Sequence, residues 1–208
     1  MMSRTDCSLY EELVAFDLES SAGGAIVVAG LDEAGRGALA GPVVAAAVIC
    51  APCEELREVR DSKLIEEGSR EELYDLIKGR CTAFSTGIVE NEEIDRVNIL
   101  QATLKAMGDA VEALSSRPEL VLVDGDRSPA IGVPCRAVIG GDGRSFAVAA
   151  ASIVAKVTRD RIMRRMHDRW PLYGFTRNKG YATREHLDAI RRFDRCPLHR
   201  RSFRPWYP

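Results

Sequence analysis

The sequence predicts an α/β domain built on a mixed β-sheet. Two observations lead there. The apolar runs AIVVAGL (25–31) and PVVAAAVIC (42–50) are separated only by a short glycine-bearing turn, which reads as an antiparallel hairpin. After them, short apolar runs alternate with longer stretches of helical periodicity, the pattern of strands joined through crossover helices. A third observation sets the organisation. Across 208 residues no linker is rich enough to divide the chain into independent domains. Residues 1–24 are expected to form an N-terminal extension with a short helix, and residues 25–208 the domain itself.

Each element has its own signal. Leu9, Leu13 and Phe16 share one face of an amphipathic helix at 8–19, and SAGG (21–24) breaks it. The first strand, 25–31, is expected to end at Asp32 and Glu33, and the second covers 42–50. SREELYDLI (69–77) reads as a helix with Ser69 as N-cap and Glu72 in the capping-box position. TAFSTGIVE (82–90) alternates as a third strand. Residues 98–114 form a long amphipathic helix that Asn98 can cap. ELVLVDG (119–125) and PCRAVIGGDG (134–143) are the fourth and fifth strands, each ending in an acid beside glycine. A long helix follows at 145–170, and a last one at 183–193 capped by Thr183.

With 46% hydrophobic and 29% charged residues, the composition is that of a soluble globular protein. The longest apolar run, FAVAAASIVA (146–155), is too short to span a bilayer. The acidic start lacks a basic, then apolar, leader pattern, so a cytoplasmic protein is expected, with its six cysteines reduced. Cys50 and Cys53 have C-x-x-C spacing, and Cys196 and His199 have C-x-x-H spacing. Both half-motifs are short and common, so unconnected loop residues are expected rather than a zinc site. The net charge of −2 conceals an asymmetry. Residues 1–155 hold 14 Lys and Arg against 26 Asp and Glu, whereas residues 156–208 hold 15 against 5. A basic segment of this size suits an anionic partner such as a nucleic acid, or else neutralises the acidic part of the same chain.

The chemistry concentrates in four carboxylates. Within GLDEAGRG (30–37) Asp32 and Glu33 stand directly before the glycine turn; Asp124 precedes Gly125, and Asp142 lies between Gly141 and Gly143. Taken singly, Asp124 and Asp142 also suit a turn or a helix cap. The consecutive pair Asp32-Glu33 gains nothing from turn rules. Neighbouring strand residues point to opposite faces, so both acids reach one site only if Glu33 lies at a bend. Loops at strand ends are where ligands gather in α/β sheets. Clustered carboxylates stay ionised together only with cations between them, and oxygen-only ligands favour Mg²⁺ or Mn²⁺. Two such ions about 4 Å apart are the usual arrangement for phosphodiester displacement.

These residues resemble ribonuclease HII. GLDEAGRGALAGPVVAAAVI (30–49), DSK (61–63), NILQATLKAM (98–107), VLVDG (121–125), AAASIVAKVTRDRIM (149–163), NKGYATREH (178–186) and HRRSF (199–203) are similar to blocks of that family in the family's order. The resemblance covers about 25–205. It implies a ribonuclease H-like fold: a five-stranded mixed sheet flanked by helices, with a C-terminal helical extension. It implies an endonuclease that cuts the RNA strand of RNA–DNA hybrids and incises 5′ of ribonucleotides embedded in duplex DNA, leaving 3′-hydroxyl and 5′-phosphate ends. By position it makes Asp32, Glu33, Asp124 and Asp142 the catalytic, metal-binding carboxylates, with Mn²⁺ or Mg²⁺ as cofactor. It makes Gly35, Arg36 and Gly37 the loop that senses the ribose 2′-hydroxyl, and Tyr181 the residue that completes recognition of the junction. Lys63, Lys156, Lys179 and Arg159 are expected at substrate phosphates. The partners implied are nucleic acids and no membrane, and a monomer is expected.

The loop reading has a physical basis. A 2′-hydroxyl both donates and accepts, so backbone groups can read it, and glycine lets the backbone approach. Two departures stand out: Leu64 and Gly140 occupy positions where the family often carries lysine, which removes positive charge near the substrate. Two other readings compete. A binding module that kept the fold would bind hybrids without turnover. A nucleotide-binding protein would use the glycine turn as a phosphate cradle, but no G-x-x-x-x-G-K-[ST] is present.

Overall fold

The computed structural model describes residues 4–204. In chain order the elements are helix α1 (Arg4–Ser20), strands β1 (Val28–Ala34) and β2 (Val43–Ile49), helix α2 (Glu67–Arg80), strand β3 (Ala83–Val89), helices α3 (Asn91–Val97) and α4 (Ile99–Glu112), strands β4 (Leu120–Asp124) and β5 (Cys135–Val138), and helices α5 (Phe146–Arg169), α6 (Phe175–Asn178) and α7 (Arg184–Phe193). The sheet order is β3-β2-β1-β4-β5. The strands β1, β2 and β3 pair antiparallel, and β1–β4 and β4–β5 pair parallel. This is the expected five-stranded mixed sheet of the ribonuclease H-like fold, with helices on both faces and a helical C-terminal part.

Side-chain alternation divides the sheet into two cores. Ala29 and Leu31 of β1 and Val121 and Val123 of β4 pack on α4 with Ala102, Ala106 and Ala110. Their neighbours face α5: Ala34, Ala46 and Val48 pack with Phe146, Ala150 and Ile153, and Leu122 packs with Val148. Helix α5 is buried on almost every side over its first three turns, and its alanines let it lie against the sheet backbone. At Gly30 an added Cβ would stand 2.0 Å from the Ala147 carbonyl carbon, so only glycine permits that approach.

Several boundaries differ from expectation for physical reasons. β1 runs to Ala34 instead of stopping at Leu31, because Asp32 and Glu33 remain in the ladder opposite Ala46 and Ala45. α2 begins at Glu67, so Ser69 lies inside it and does not cap it. The acidic α3, at Asn91–Val97, carries too little apolar periodicity to be seen in the sequence. Two caps are as expected, Asn98 accepting from Leu100 and Gln101 N–H and Thr183 accepting from His186 N–H, and Ser145 adds a third by accepting from Val148 N–H.

The C-terminal part has its own small core, in which Met163, Tyr173, Phe175 and Ile190 pack together. Beside it lies a buried histidine pair. The Cys196 N–H donates to His199 Nδ1 (3.0 Å), which leaves the His199 proton on Nε2. That nitrogen faces His186 Nε2 at 3.1 Å, and His186 Nδ1 then donates to the Tyr181 carbonyl at 2.9 Å. The network closes only with both rings neutral. Burial lowers both pKa values, that of His199 to about 4. In the unfolded chain the same rings take up protons below about 6.5. Stability is therefore expected to fall as pH drops from about 6.5 towards 4. Thermal melts at pH 7.5 and pH 5 should show a clear loss of Tm at the lower pH that shrinks in His199→Gln; an equal loss in both proteins would sink the idea.

Candidate active site

The parallel ladder of β1 and β4 ends with Leu31 opposite Val123. One residue further along each strand stand Asp32 and Asp124, on the face towards α5. Asp142 reaches the same place from a 3-10 turn, Gly141–Gly143, between β5 and α5. One oxygen of each carboxylate lies within 4.8 Å of the other two. Local hydrogen bonds fix their positions. Asp32 Oδ1 accepts from the Glu33 N–H (2.6 Å), and Asp124 Oδ1 accepts from the Gly141 N–H (2.6 Å). Asp142 Oδ2 accepts from Lys63 Nζ at 2.9 Å.

Burial and mutual repulsion govern the charge. Asp32 is 6% exposed. Burial pushes its pKa well above the usual carboxylate range, and Glu33 and Asp124 push it further. Asp124 is raised by burial and then by Asp142. Three carboxylates this close, with desolvation opposing their ionisation, form a site that a divalent cation would relieve. Oxygen-only donors on rigid strand ends fit Mg²⁺ or Mn²⁺.

Glu33 is placed differently from the other three acids. It does not lie at a bend but within β1, so it projects to the α4 face. Its Oε1 takes Arg36 Nη1 at 3.3 Å. It borders a narrow cleft with Arg36, Thr103, Met107 and Asp124. Burial raises its pKa, Arg36 opposes this, and Asp124 adds to the rise. Glu33 thus shares a cleft with Asp124 but stands outside the three-carboxylate cluster.

The glycine loop is built from beneath by two arginines. Gly35 has φ of +97°, and an added Cβ would stand 2.0 Å from Arg159 Nε. Arg159, fully buried, donates to the carbonyls of Pro42 (3.0 Å), Lys179 (2.9 Å) and Ala40 (3.1 Å). Arg200, also buried, donates to Gly41 (3.0 Å), Arg36 (2.9 Å) and Gly35 (2.8 Å). The carbonyls of Gly35 and Arg36 are therefore turned inward, while Arg36 and Gly37 themselves are exposed. Around Gly37 an added Cβ meets nothing within 4 Å, so the free protein places no demand for glycine there.

Tyr181 belongs to the same structure. The Leu39 N–H donates to the Gly180 carbonyl at 2.8 Å, joining its turn to the loop. The Arg159 guanidinium lies over the Tyr181 ring, 5.2 Å from its centroid. The loop 35–41 and the turn 178–181 are thus one assembly with Arg159 at its centre.

The expected phosphate ligands fare unequally. Lys63 is exposed and reaches the cluster. Lys156 is engaged by both oxygens of Asp160 (2.6 and 2.7 Å), one helical turn away. Lys179 is 6% exposed and its ammonium donates to Glu67 (3.0 Å) and the Thr176 carbonyl (2.6 Å). Arg159 is a correction: a guanidinium that is buried and shared among three carbonyls is not a phosphate contact. Arg200, which lies in the block HRRSF (199–203) with no role implied there, emerges as a structural partner of the loop. Leu64 is 68% exposed on the turn that carries Lys63. Gly140 sits at φ of +65°, where a lysine would carry left-handed strain. Cys50 and Cys53 pack beside the α5-side core, whereas Cys196 packs in the C-terminal core.

Comparison with known proteins agrees with this geometry. The Ribonuclease HII family profile matches residues 29–205. Ribonuclease HII of Syntrophus aciditrophicus is 50% identical over 189 residues, covering 91% of this chain and 89% of that protein. Ribonuclease HII of Acetivibrio thermocellus is 45% identical, covering 93% and 76%. Among solved structures, the PCNA:RNase HII complex from Archaeoglobus fulgidus superposes with a TM-score of 0.74 at 27% identity, covering 88% of this chain and 98% of that one. Ribonuclease H2 from Pyrococcus horikoshii superposes with a TM-score of 0.70 at 28% identity, covering 85% and 93%. A carboxylate cluster at the ends of β1 and β4, the glycine loop beside it and a family match over most of the chain lead to one assignment: the chain belongs to the ribonuclease HII family.

Proposed function

We propose that this protein is a metal-dependent endoribonuclease that hydrolyses the RNA strand of RNA–DNA hybrids and incises 5′ of ribonucleotides embedded in duplex DNA. The observation that carries the proposal is the convergence of Asp32, Asp124 and Asp142 beside a rigid glycine loop. Family membership supplies the reaction class, and a role in removing misincorporated ribonucleotides and RNA primers follows from that chemistry.

Asp32, Asp124 and Asp142 would hold the divalent ions, with Glu33 contributing from the opposite face of β1. Bound Mg²⁺ or Mn²⁺ would supply an activated water and stabilise the leaving 3′-oxygen. The protein's own part is selection and placement. The Arg36 and Gly37 backbone is exposed, and its carbonyls at 35 and 36 are anchored away from solvent. That leaves the loop N–H groups for the ribose 2′-hydroxyl, the group that distinguishes RNA from DNA. Tyr181, fixed against the loop by Arg159, offers a ring to the adjoining sugar. Arg36 and Lys63 are basic groups at the rim able to meet phosphate.

The test is cleavage of a DNA duplex containing one ribonucleotide, in Mg²⁺, in Mn²⁺ and in chelator, with an all-DNA duplex as control. Metal-dependent cutting 5′ of the ribonucleotide, with the control intact, supports the proposal. A folded protein that binds the duplex and never cuts would favour the binding module. The loop has its own test. Gly37→Leu is expected to fold normally, because its Cβ has open space, and to cut at a ribonucleotide at least about tenfold more slowly through blocked backbone approach. Normal cutting by that variant would place 2′-hydroxyl reading elsewhere.

A further inference from the structure

The Lys63 side chain is built as an arm on a fixed base. Its 3-10 turn, Ser62–Leu64, is anchored on two sides. Ser152 Oγ of α5 donates to Ser62 Oγ at 2.7 Å, and Arg70 Nε of α2 donates to the Ser62 carbonyl at 2.8 Å. Asp61 Oδ1 accepts the Lys63 N–H at 2.9 Å, which fixes the backbone at the residue itself. The side chain beyond is 73% exposed, yet its ammonium returns to Asp142 Oδ2 at 2.9 Å. A second acid, Asp61, stands 3.8 Å from the same nitrogen. An exposed lysine could extend into solvent and keep its rotamer freedom. Here the charge of the cluster holds it instead.

We infer that Lys63 acts as an internal counter-cation of the carboxylate cluster, occupying Asp142 until a divalent ion displaces it and frees its ammonium for substrate phosphate. This rests on the reading of Asp32, Asp124 and Asp142 as the metal site. Lys63 is suited to the exchange because an ammonium is a compact charge on a flexible stem, whereas a planar guanidinium would lock onto the carboxylate by two bonds. The consequence is a reciprocal coupling. If ion binding releases Lys63, then engagement of Lys63 by phosphate must favour ion binding by the same factor. Substrate and metal thus recruit one another through one side chain. An empty site keeps Asp142 paired, and a phosphate-bound arm leaves Asp142 open.

The deciding experiment is calorimetric titration of Mn²⁺ into the whole protein without nucleic acid, for wild type, Lys63→Met and Arg127→Met. Methionine keeps the length of the stem and removes the charge. Arg127 lies in the same cleft as Asp124 and pairs with Asp126, so its loss reports the general effect of removing a nearby positive charge. The expected result is that Lys63→Met binds Mn²⁺ about three- to tenfold more tightly than wild type, with Arg127→Met within about twofold. Nitrogen NMR of the lysine ammonium groups adds a direct view. The Lys63 signal should be slow to exchange with water in metal-free protein and fast in saturating Mg²⁺. Equal or weaker Mn²⁺ binding by Lys63→Met, beside a normal wild-type isotherm, overturns this inference alone. A flat wild-type isotherm overturns the metal site, and this inference with it.

Discussion

Asp32→Asn is expected to abolish cleavage while leaving the protein as stable as before, or more so. The two halves of this expectation come from the same burial. Asp32 is 6% exposed, as enclosed as Asp142, and asparagine keeps its size while removing one anionic ligand. Loss of groups that merely orient metal ligands costs about 10–100-fold, so loss of a ligand itself should exceed about 100-fold. Stability moves the other way. A carboxyl whose pKa is raised by folding binds its proton more tightly in the folded than in the unfolded state. The cost of burying it therefore grows as pH rises above the ordinary value of about 3.8 towards the raised folded value. Asparagine removes that cost. In chelator, Tm of the variant at pH 7.5 should equal or exceed that of wild type. Added Mn²⁺ should raise Tm of wild type by ligand linkage and leave the variant nearly unmoved. Near wild-type cutting by Asp32→Asn would falsify the metal assignment, and a large loss of Tm in chelator would make Asp32 a structural residue.

What could be seen of this site in the sequence follows from how local each signal is. The acids declared themselves through their neighbours: Asp124 before Gly125, and Asp142 between two glycines, at the ends of apolar runs. Their convergence did not, because it depends on the pairing of β1 with β4 across 92 residues (Val28 with Leu120), a register no local pattern encodes. The same gap explains the frame of β1. Two consecutive acids read as the end of a strand, yet pairing with Ala45 and Ala46 carries the ladder through them and sends Glu33 to the α4 face. Strand alternation raised that conflict but left it open, and the expectation that Glu33 joins the other three acids rested on a bend that β1 does not make there. The strands themselves were legible because buried apolar runs leave few alternatives.

The basic C-terminal segment was the hardest feature to read. Its excess charge suggested an anionic partner, and part of it is turned inward. Arg159 and Arg200 hold loop carbonyls, Lys156 pairs with Asp160, and Lys179 with Glu67. Arg161 and Arg164 both pair with Glu71 of the acidic first part. Neutralisation within the chain therefore accounts for part of the charge asymmetry, and an anionic partner belongs to the proposed function. A sequence gives no direct sign that one arginine among many points into the protein, since guanidinium groups enter cores only where carbonyls await them, and those carbonyls come from distant segments.

Arg200→Lys is the variant expected to damage the molecule most for the smallest chemical change. Arg200 reaches the glycine loop from 164 residues away and satisfies three carbonyls with three different nitrogens. Lysine has its donors on a single atom and cannot span that fork, so at least one buried carbonyl would be left without a partner. Each such orphan costs about 1–3 kcal/mol, and a loss of about 2–4 kcal/mol is expected overall. Function should suffer beyond stability. On the proposed function, the inward anchoring of the Gly35 and Arg36 carbonyls is what would present the other side of this loop to a sugar. With one anchor gone, cutting at a single embedded ribonucleotide should fall at least about tenfold at a temperature where the variant is still folded. Arg201→Lys is the matched control. Arg201 is exposed, and its link to Asp95 runs through its backbone N–H, which lysine retains. Chemical denaturation and single-ribonucleotide cleavage of the two variants separate the outcomes. If Arg200→Lys and Arg201→Lys behave alike, Arg159 and the Leu39–Gly180 hydrogen bond suffice to hold the loop. If only Arg200→Lys loses both stability and cutting, the conformation that reads the ribose is set by the far end of the chain.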